Sequence, residues 1–62
     1  MNLDYTEENG LLEIGETINS YVIKAKFLTT SGEAEIYLCE KENKKYVLKY
    51  YLRNCQMLWM KN

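Results

Sequence analysis

Alternation of apolar and polar side chains with a period of two runs through residues 21–51. This period is typical of β-strands that have two different faces. It predicts strands over 21–28, 33–40 and 45–51, the last of which is rich in β-branched and aromatic residues. We therefore expect a mainly β fold built on a three-stranded antiparallel sheet, with a small α+β fold as the alternative.

Two turns separate the predicted strands. Thr29-Thr30-Ser31-Gly32 combines small hydroxyl residues with a glycine, as flexible turns do. Lys41-Glu42-Asn43-Lys44 predicts a charged hairpin turn, in which Asn43 is the residue most suited to positive φ. Pairing Glu40 with Lys45 across this turn fixes the faces. The alternative register, which pairs Glu42 with Lys45, leaves the same faces together. One face then carries Ala34, Ile36, Leu38, Val47 and Lys49, and the other carries Tyr37, Cys39, Tyr46, Leu48 and Tyr50.

The flanking segments differ from the sheet in composition. Residues 1–20 form an acidic leader, partly extended, with five acidic residues and no basic one. We expect its first ten residues to be loose or to form at most a helical turn. Residues 52–62 form an apolar tail, for which both a short helix and an extended segment are consistent with the pattern; the helical spacing involves Leu52, Cys55, Leu58 and Trp59.

Composition excludes several classes of protein. The chain of 62 residues suffices for one small domain, and its 47% hydrophobic content excludes a disordered chain. The net charge of −1 argues against nucleic-acid and membrane partners. With no histidine, and with Cys39 and Cys55 far apart in sequence, no metal cluster is expected, and two reduced thiols are favoured over one disulfide. No signal peptide or membrane span is predicted, so we expect a cytoplasmic protein.

Two motifs of the predicted sheet resemble the beginning of the small lobe of protein kinases. Thr29-Thr30-Ser31-Gly32-Glu33-Ala34-Glu35-Ile36 stands where that family has its G-x-G-x-x-G-x-V loop. Tyr46-Val47-Leu48-Lys49 resembles the V-A-I-K motif, whose lysine contacts nucleotide phosphates. Leu28 stands just before the loop, as the family's adenine-contacting aliphatic residue does. The resemblance implies an ATP-like site at Leu28, Ser31, Gly32, Ala34, Ile36, Val47 and Lys49.

Departures from the family pattern limit what the resemblance implies. The three glycine positions hold Thr29, Ser31 and Ala34, whose side chains obstruct close approach of the backbone to phosphates. The chain has no H-R-D and no D-F-G sequence, which carry the catalytic aspartate and the metal ligands. We therefore expect a truncated small-lobe domain that is not an enzyme, binds ATP weakly at most and needs no other cofactor. Two origins of the chain stay open: a full gene product, or a fragment produced by truncation or a shifted reading frame.

A second hypothesis makes the chain a self-association or protein-binding module. A sheet that is apolar on both faces, in a chain too short to cover both, invites a homodimer or a protein partner. The residues expected to contact the partner are Tyr37, Tyr46, Tyr50, Leu58 and Trp59.

Overall fold

A computed structural model describes residues 4–28 and 32–61 of the chain. These residues form six strands and no helix, so the predicted mainly β fold is confirmed. The strands are β1 (Tyr5–Thr6), β2 (Thr17–Ile18), β3 (Tyr21–Phe27), β4 (Ala34–Lys41), β5 (Lys44–Tyr51) and β6 (Met57–Lys61).

All six strands belong to one antiparallel sheet with the order β1-β3-β4-β5-β6, in which β2 also pairs with β3. The three predicted strands are β3, β4 and β5 at its centre, and the sheet is wider than predicted. The leader supplies β1 and β2, and it makes no helical turn within residues 4–20. The tail supplies β6, so its extended form is the one that occurs. Pairing with β5 gives the backbone N–H and C=O groups of β6 hydrogen-bond partners. An isolated helix of five residues would leave most of these groups without a partner.

A two-residue turn, Glu42-Asn43, connects β4 to β5. The φ angles of Glu42 and Asn43 are 53° and 63°, which fits the turn type whose twist matches that of the strands. Lys41 pairs with Lys44 and Glu40 with Lys45, so the predicted register is confirmed. The Lys45 ammonium lies 3.7 Å from the Glu40 carboxylate.

One face of the sheet, which we call the covered face, contains the hydrophobic core. Ile23, Tyr37, Cys39 and Leu48 are fully buried there, and Leu12 of the leader packs against them. Partly buried side chains surround this core: Ile14, Ile18, Tyr21, Tyr50, Met57 and Trp59. The leader therefore contributes three apolar side chains to this face: Leu12, Ile14 and Ile18.

Hydrogen bonds to Tyr37 and Glu35 hold the leader in place. The Leu12 backbone N–H donates to the Tyr37 hydroxyl over 3.1 Å, and the Leu11 N–H donates to the Glu35 carboxylate over 2.9 Å. The Tyr37 hydroxyl in turn donates to the same carboxylate. Burial and this bond raise the pKa of Tyr37 to about 12 from 10.0. The neutral hydroxyl therefore stabilises the fold below pH 10, and that contribution is lost as the pH rises through about 12.

Gly10 is tightly enclosed by this hydrogen-bonded group. A Cβ at Gly10 would lie 2.6 Å from the Tyr37 hydroxyl oxygen and 2.7 Å from Glu35 Oε1. Gly10→Ala should therefore reduce the free energy of unfolding, by roughly 1–3 kcal/mol, because the leader must shift away from the sheet. Urea unfolding measures this loss. Gly32→Ala is the control, since a Cβ there meets no atom within 4 Å; equal stabilities of the two variants would contradict the packing described.

The two cysteines are both free, and they differ in accessibility. Cys39 is buried in the core, where burial raises the pKa of its thiol to about 11, whereas Cys55 is exposed. An aromatic disulfide reagent at pH 8 should therefore modify one thiol quickly and the second only after denaturation. Cys55→Ser should abolish the fast reaction, and Cys39→Ser should leave it unchanged. Two fast thiols in the native protein would show that the covered face is open.

Candidate functional site

The second face of the sheet, which we call the open face, lacks a cover from the described part of the leader. Alternation along the strands and the register assign its residues: Tyr5 of β1; Val22, Ala25 and Phe27 of β3; Ala34, Ile36, Leu38 and Glu40 of β4; Lys45, Val47, Lys49 and Tyr51 of β5; Leu58 and Met60 of β6. Only the small side chains Ala25 and Ala34 are buried among them. Leu58 and Met60 retain 46% and 41% exposure. Tyr5 lies at the edge of this face, where its ring meets the Phe27 ring edge-on, and it remains 60% exposed.

Apolar side chains line up across the strands of the open face. Ala25, Leu38, Val47 and Met60 are paired in turn and form one row across four strands. The neighbouring row places Lys49 between Ile36 and Leu58. Directly opposite side chains lie about 4.5–5.5 Å apart. The first row is therefore a nearly continuous apolar strip, and Lys49 interrupts the second. Such a surface on a small protein is typical of a binding site.

Lys49 is the one charged residue within the apolar part of the open face. It is half-buried, and its ammonium lies 5.2 Å from the centroid of the Tyr51 ring, a cation–π arrangement. The other charges assigned to this face, Glu40 and Lys45, pair with each other beside the hairpin turn. The apolar part of the open face therefore contains one cation, Lys49, surrounded by aliphatic and aromatic side chains.

The residues predicted for the ATP-like site are brought together in part. Ala34, Ile36, Val47 and Lys49 share the open face, as the register prediction requires. Leu28 lies one residue beyond β3 and is 57% exposed, outside the paired part of the sheet. Its backbone N–H donates to the Asp4 carbonyl. Gly32 is exposed and lines a groove beside Tyr51 and Arg53. Ser31 lies outside the described residues.

The five residues predicted to contact a partner do not share one surface. Tyr37 is fully buried beneath the leader and has no surface for a partner, so its assignment as an interface residue needs correction. Tyr46, Tyr50 and Trp59 lie on the covered face. The Trp59 ring stacks there on the Tyr21 ring, with 4.0 Å between the ring centroids. Leu58 alone belongs to the open face.

Sequence reasoning missed Met60 because it gave the tail a helical spacing. The period-two alternation in Met57-Leu58-Trp59-Met60-Lys61 was the signal that could have found it. This alternation assigns Leu58 and Met60 to one face and Met57 and Trp59 to the other, which is their arrangement in β6.

The residues that the structure describes contain no candidate metal centre. Residues 4–28 and 32–61 contain no group of three or more His, Cys, Asp or Glu side chains that could hold a metal ion. Within the same ranges no helix is long and apolar enough to cross a membrane. The open face offers apolar surface that a partner can bury, with the Lys49 ammonium beside that surface.

Comparisons with protein-family models, with curated proteins and with solved structures find no match. The resemblance to a kinase small lobe therefore depends on the motifs of the sequence itself, and the function must be argued from the open face.

Proposed function

We propose that this chain is a non-catalytic association module, whose open face packs against the open face of a second copy. The observation that supports this function is the apolar row Ala25–Leu38–Val47–Met60, which no described segment of the chain covers. Burying such a row removes apolar surface from water, and this is the main driving force for association.

The dimensions of the open face are consistent with a weak dimer. The four strands β3 to β6, each about 4.8 Å wide and with about 3.4 Å per residue, give a face of roughly 20 by 25 Å, or about 500 Å². Two such faces bury about 1,000 Å², which is near the lower limit for a specific protein interface. We therefore expect dissociation constants in the micromolar range rather than an obligate dimer.

Charge does not oppose this association. The net charge of the chain is −1, so two copies repel each other only slightly. Lys49 is the one charged residue within the apolar part of the open face, and its burial would be costly. Its long aliphatic stem can pack on apolar neighbours while the ammonium remains near the Tyr51 ring, or reaches water at the rim of the interface.

Leu38→Lys tests this proposal, because it places a charge in the centre of the apolar row. The variant should remain folded, since Leu38 is half-buried and lies outside the core, and it should be monomeric at concentrations where the native chain dimerises. Light scattering after size exclusion measures the mass. Leu11→Lys is the matched control, because Leu11 is exposed and lies away from the open face. A native chain that stays monomeric at millimolar concentration would rule out the dimer.

A second candidate function is residual nucleotide binding by a kinase-like small lobe that lacks catalytic activity. The observation that favours it is the placement of Lys49 beside Ile36, with Val47 on the same face. A lysine next to aliphatic side chains could pair with a phosphate while the base packs on Val47. A single face gives the base one wall only, so this binding should be weak, and it should compete with dimer formation.

Isotope-labelled protein titrated with millimolar magnesium ATP tests the second candidate. Amide shifts should appear at Ile36, Val47 and Lys49, and Lys49→Ala should abolish them. Lys45→Ala is the control, since Lys45 lies on the same face but pairs with Glu40. Equal responses of the two variants would indicate non-specific attraction between ATP and lysines, and would remove nucleotide binding from consideration.

A further inference from the structure

The two edges of the sheet differ in how well they are protected. At one edge the outer side of β3 is occupied by two strands of two residues each, and β3 has an irregular register between Ile23 and Ala25. Short edge strands and bulges both discourage pairing with another chain. At the other edge lies β6, which is regular over Met57–Lys61 and has no proline. Its outer side has no strand partner among the described residues.

The backbone groups of β6 that face outward can be identified. The Tyr51 N–H donates to the Gln56 carbonyl over 2.8 Å, so Tyr51 and Gln56 form a hydrogen-bonded pair. Hydrogen-bonded and non-hydrogen-bonded pairs alternate along an antiparallel ladder. Leu58 and Met60 therefore bond to β5 through their backbones. The N–H and C=O groups of Met57, Trp59 and Lys61 point away from the sheet.

We propose that β6 pairs in an antiparallel arrangement with β6 of a second copy, around a two-fold axis at Trp59. In this register Trp59 lies opposite its own equivalent, and Met57 lies opposite Lys61 of the second copy. The three outward-facing residues thus form three hydrogen-bonded pairs. Each such pair exchanges two N–H···O=C bonds, so every outward group of β6 obtains a partner.

Side chains and charges fit this antiparallel register. Leu58 comes opposite Met60 of the second copy on the open face, which joins two exposed apolar side chains. The two Lys61 residues lie at opposite ends of the paired strands, about 14 Å apart at about 3.4 Å per residue. This separation exceeds the screening length of about 10 Å at 0.1 M salt. A parallel arrangement would instead bring the two lysines side by side.

The two-fold symmetry closes the assembly at two copies. Both β6 edges are used in the pair, and the edges that remain are the protected ones along β3. A closed dimer with one continuous sheet is therefore expected rather than a filament. This pairing uses the edge and not the open face, so it does not depend on the function proposed above.

Amide hydrogen exchange of the whole chain, followed by NMR at low micromolar and at millimolar concentration, tests the proposal. The amides of Met57, Trp59 and Lys61 should exchange rapidly in the monomer and at least about tenfold more slowly at high concentration. The amides of Leu58 and Met60 should be protected at both concentrations, because they bond within the chain. Unchanged exchange at Met57, Trp59 and Lys61 would overturn the proposal.

Proline substitutions supply a matched pair of variants. Lys61→Pro removes an outward-facing N–H, so it should leave the native sheet folded and prevent the concentration-dependent protection. Met60→Pro removes an N–H that bonds to β5, so it should destabilise the monomer itself.

Leu38→Lys distinguishes the two interfaces, since edge pairing should persist in that variant whereas packing of the open faces should not. A dimer that Leu38→Lys abolishes, with rapid exchange along β6, would overturn edge pairing and support the open-face dimer.

Discussion

The packing of the leader on one side of the sheet is the interaction on which the rest of the structure depends. Leu12 completes a core whose sheet side chains are fully buried, and its backbone N–H binds the hydroxyl of Tyr37. Tyr37 thus contributes a large apolar ring to the core and a polar atom that fixes the position of the leader. The bond from this hydroxyl to Glu35 leaves a buried polar group satisfied at the centre of the fold.

Covering one face leaves the other face open. The described part of the leader passes over the side that carries Tyr37 and Leu48, and its apolar side chains Leu12, Ile14 and Ile18 pack there. Ile36, Leu38 and Val47 consequently remain half-buried around Lys49. The open face thus follows from a sheet whose residues are apolar on both sides and a leader that packs on one of them. This is why we look for its function in association.

The two edges of the sheet are formed by different parts of the chain. The tail adds one strand, and this strand satisfies the outer backbone groups of β5 but exposes a new row of its own. The leader protects the opposite edge with two short strands on β3. The asymmetry between these edges has a physical consequence, because a two-fold pair can use the β6 edge once in each copy and leave only protected edges behind.

Local sequence patterns determined the centre of this fold. Period-two alternation defined β3, β4 and β5, and the Glu42-Asn43 turn fixed the register that places Ile36 opposite Lys49. Both faces of the central sheet could be predicted because successive side chains of a strand point to opposite sides. One pair of opposite residues therefore determines the face of every other residue in the two strands. The same register brought most of the predicted ATP-like residues onto one face.

Tertiary structure alone decided which face is covered and how the ends of the chain are used. The two faces are similarly apolar in sequence, and the position of Leu12 over Tyr37 depends on contacts between residues 25 positions apart. The tail fits a helix and a strand almost equally well as an isolated segment, and the unpaired backbone of β5 selects the strand. Burial is a long-range property, so the burial of Tyr37 beneath the leader and the packing of Trp59 on Tyr21 could not be predicted from local periodicity.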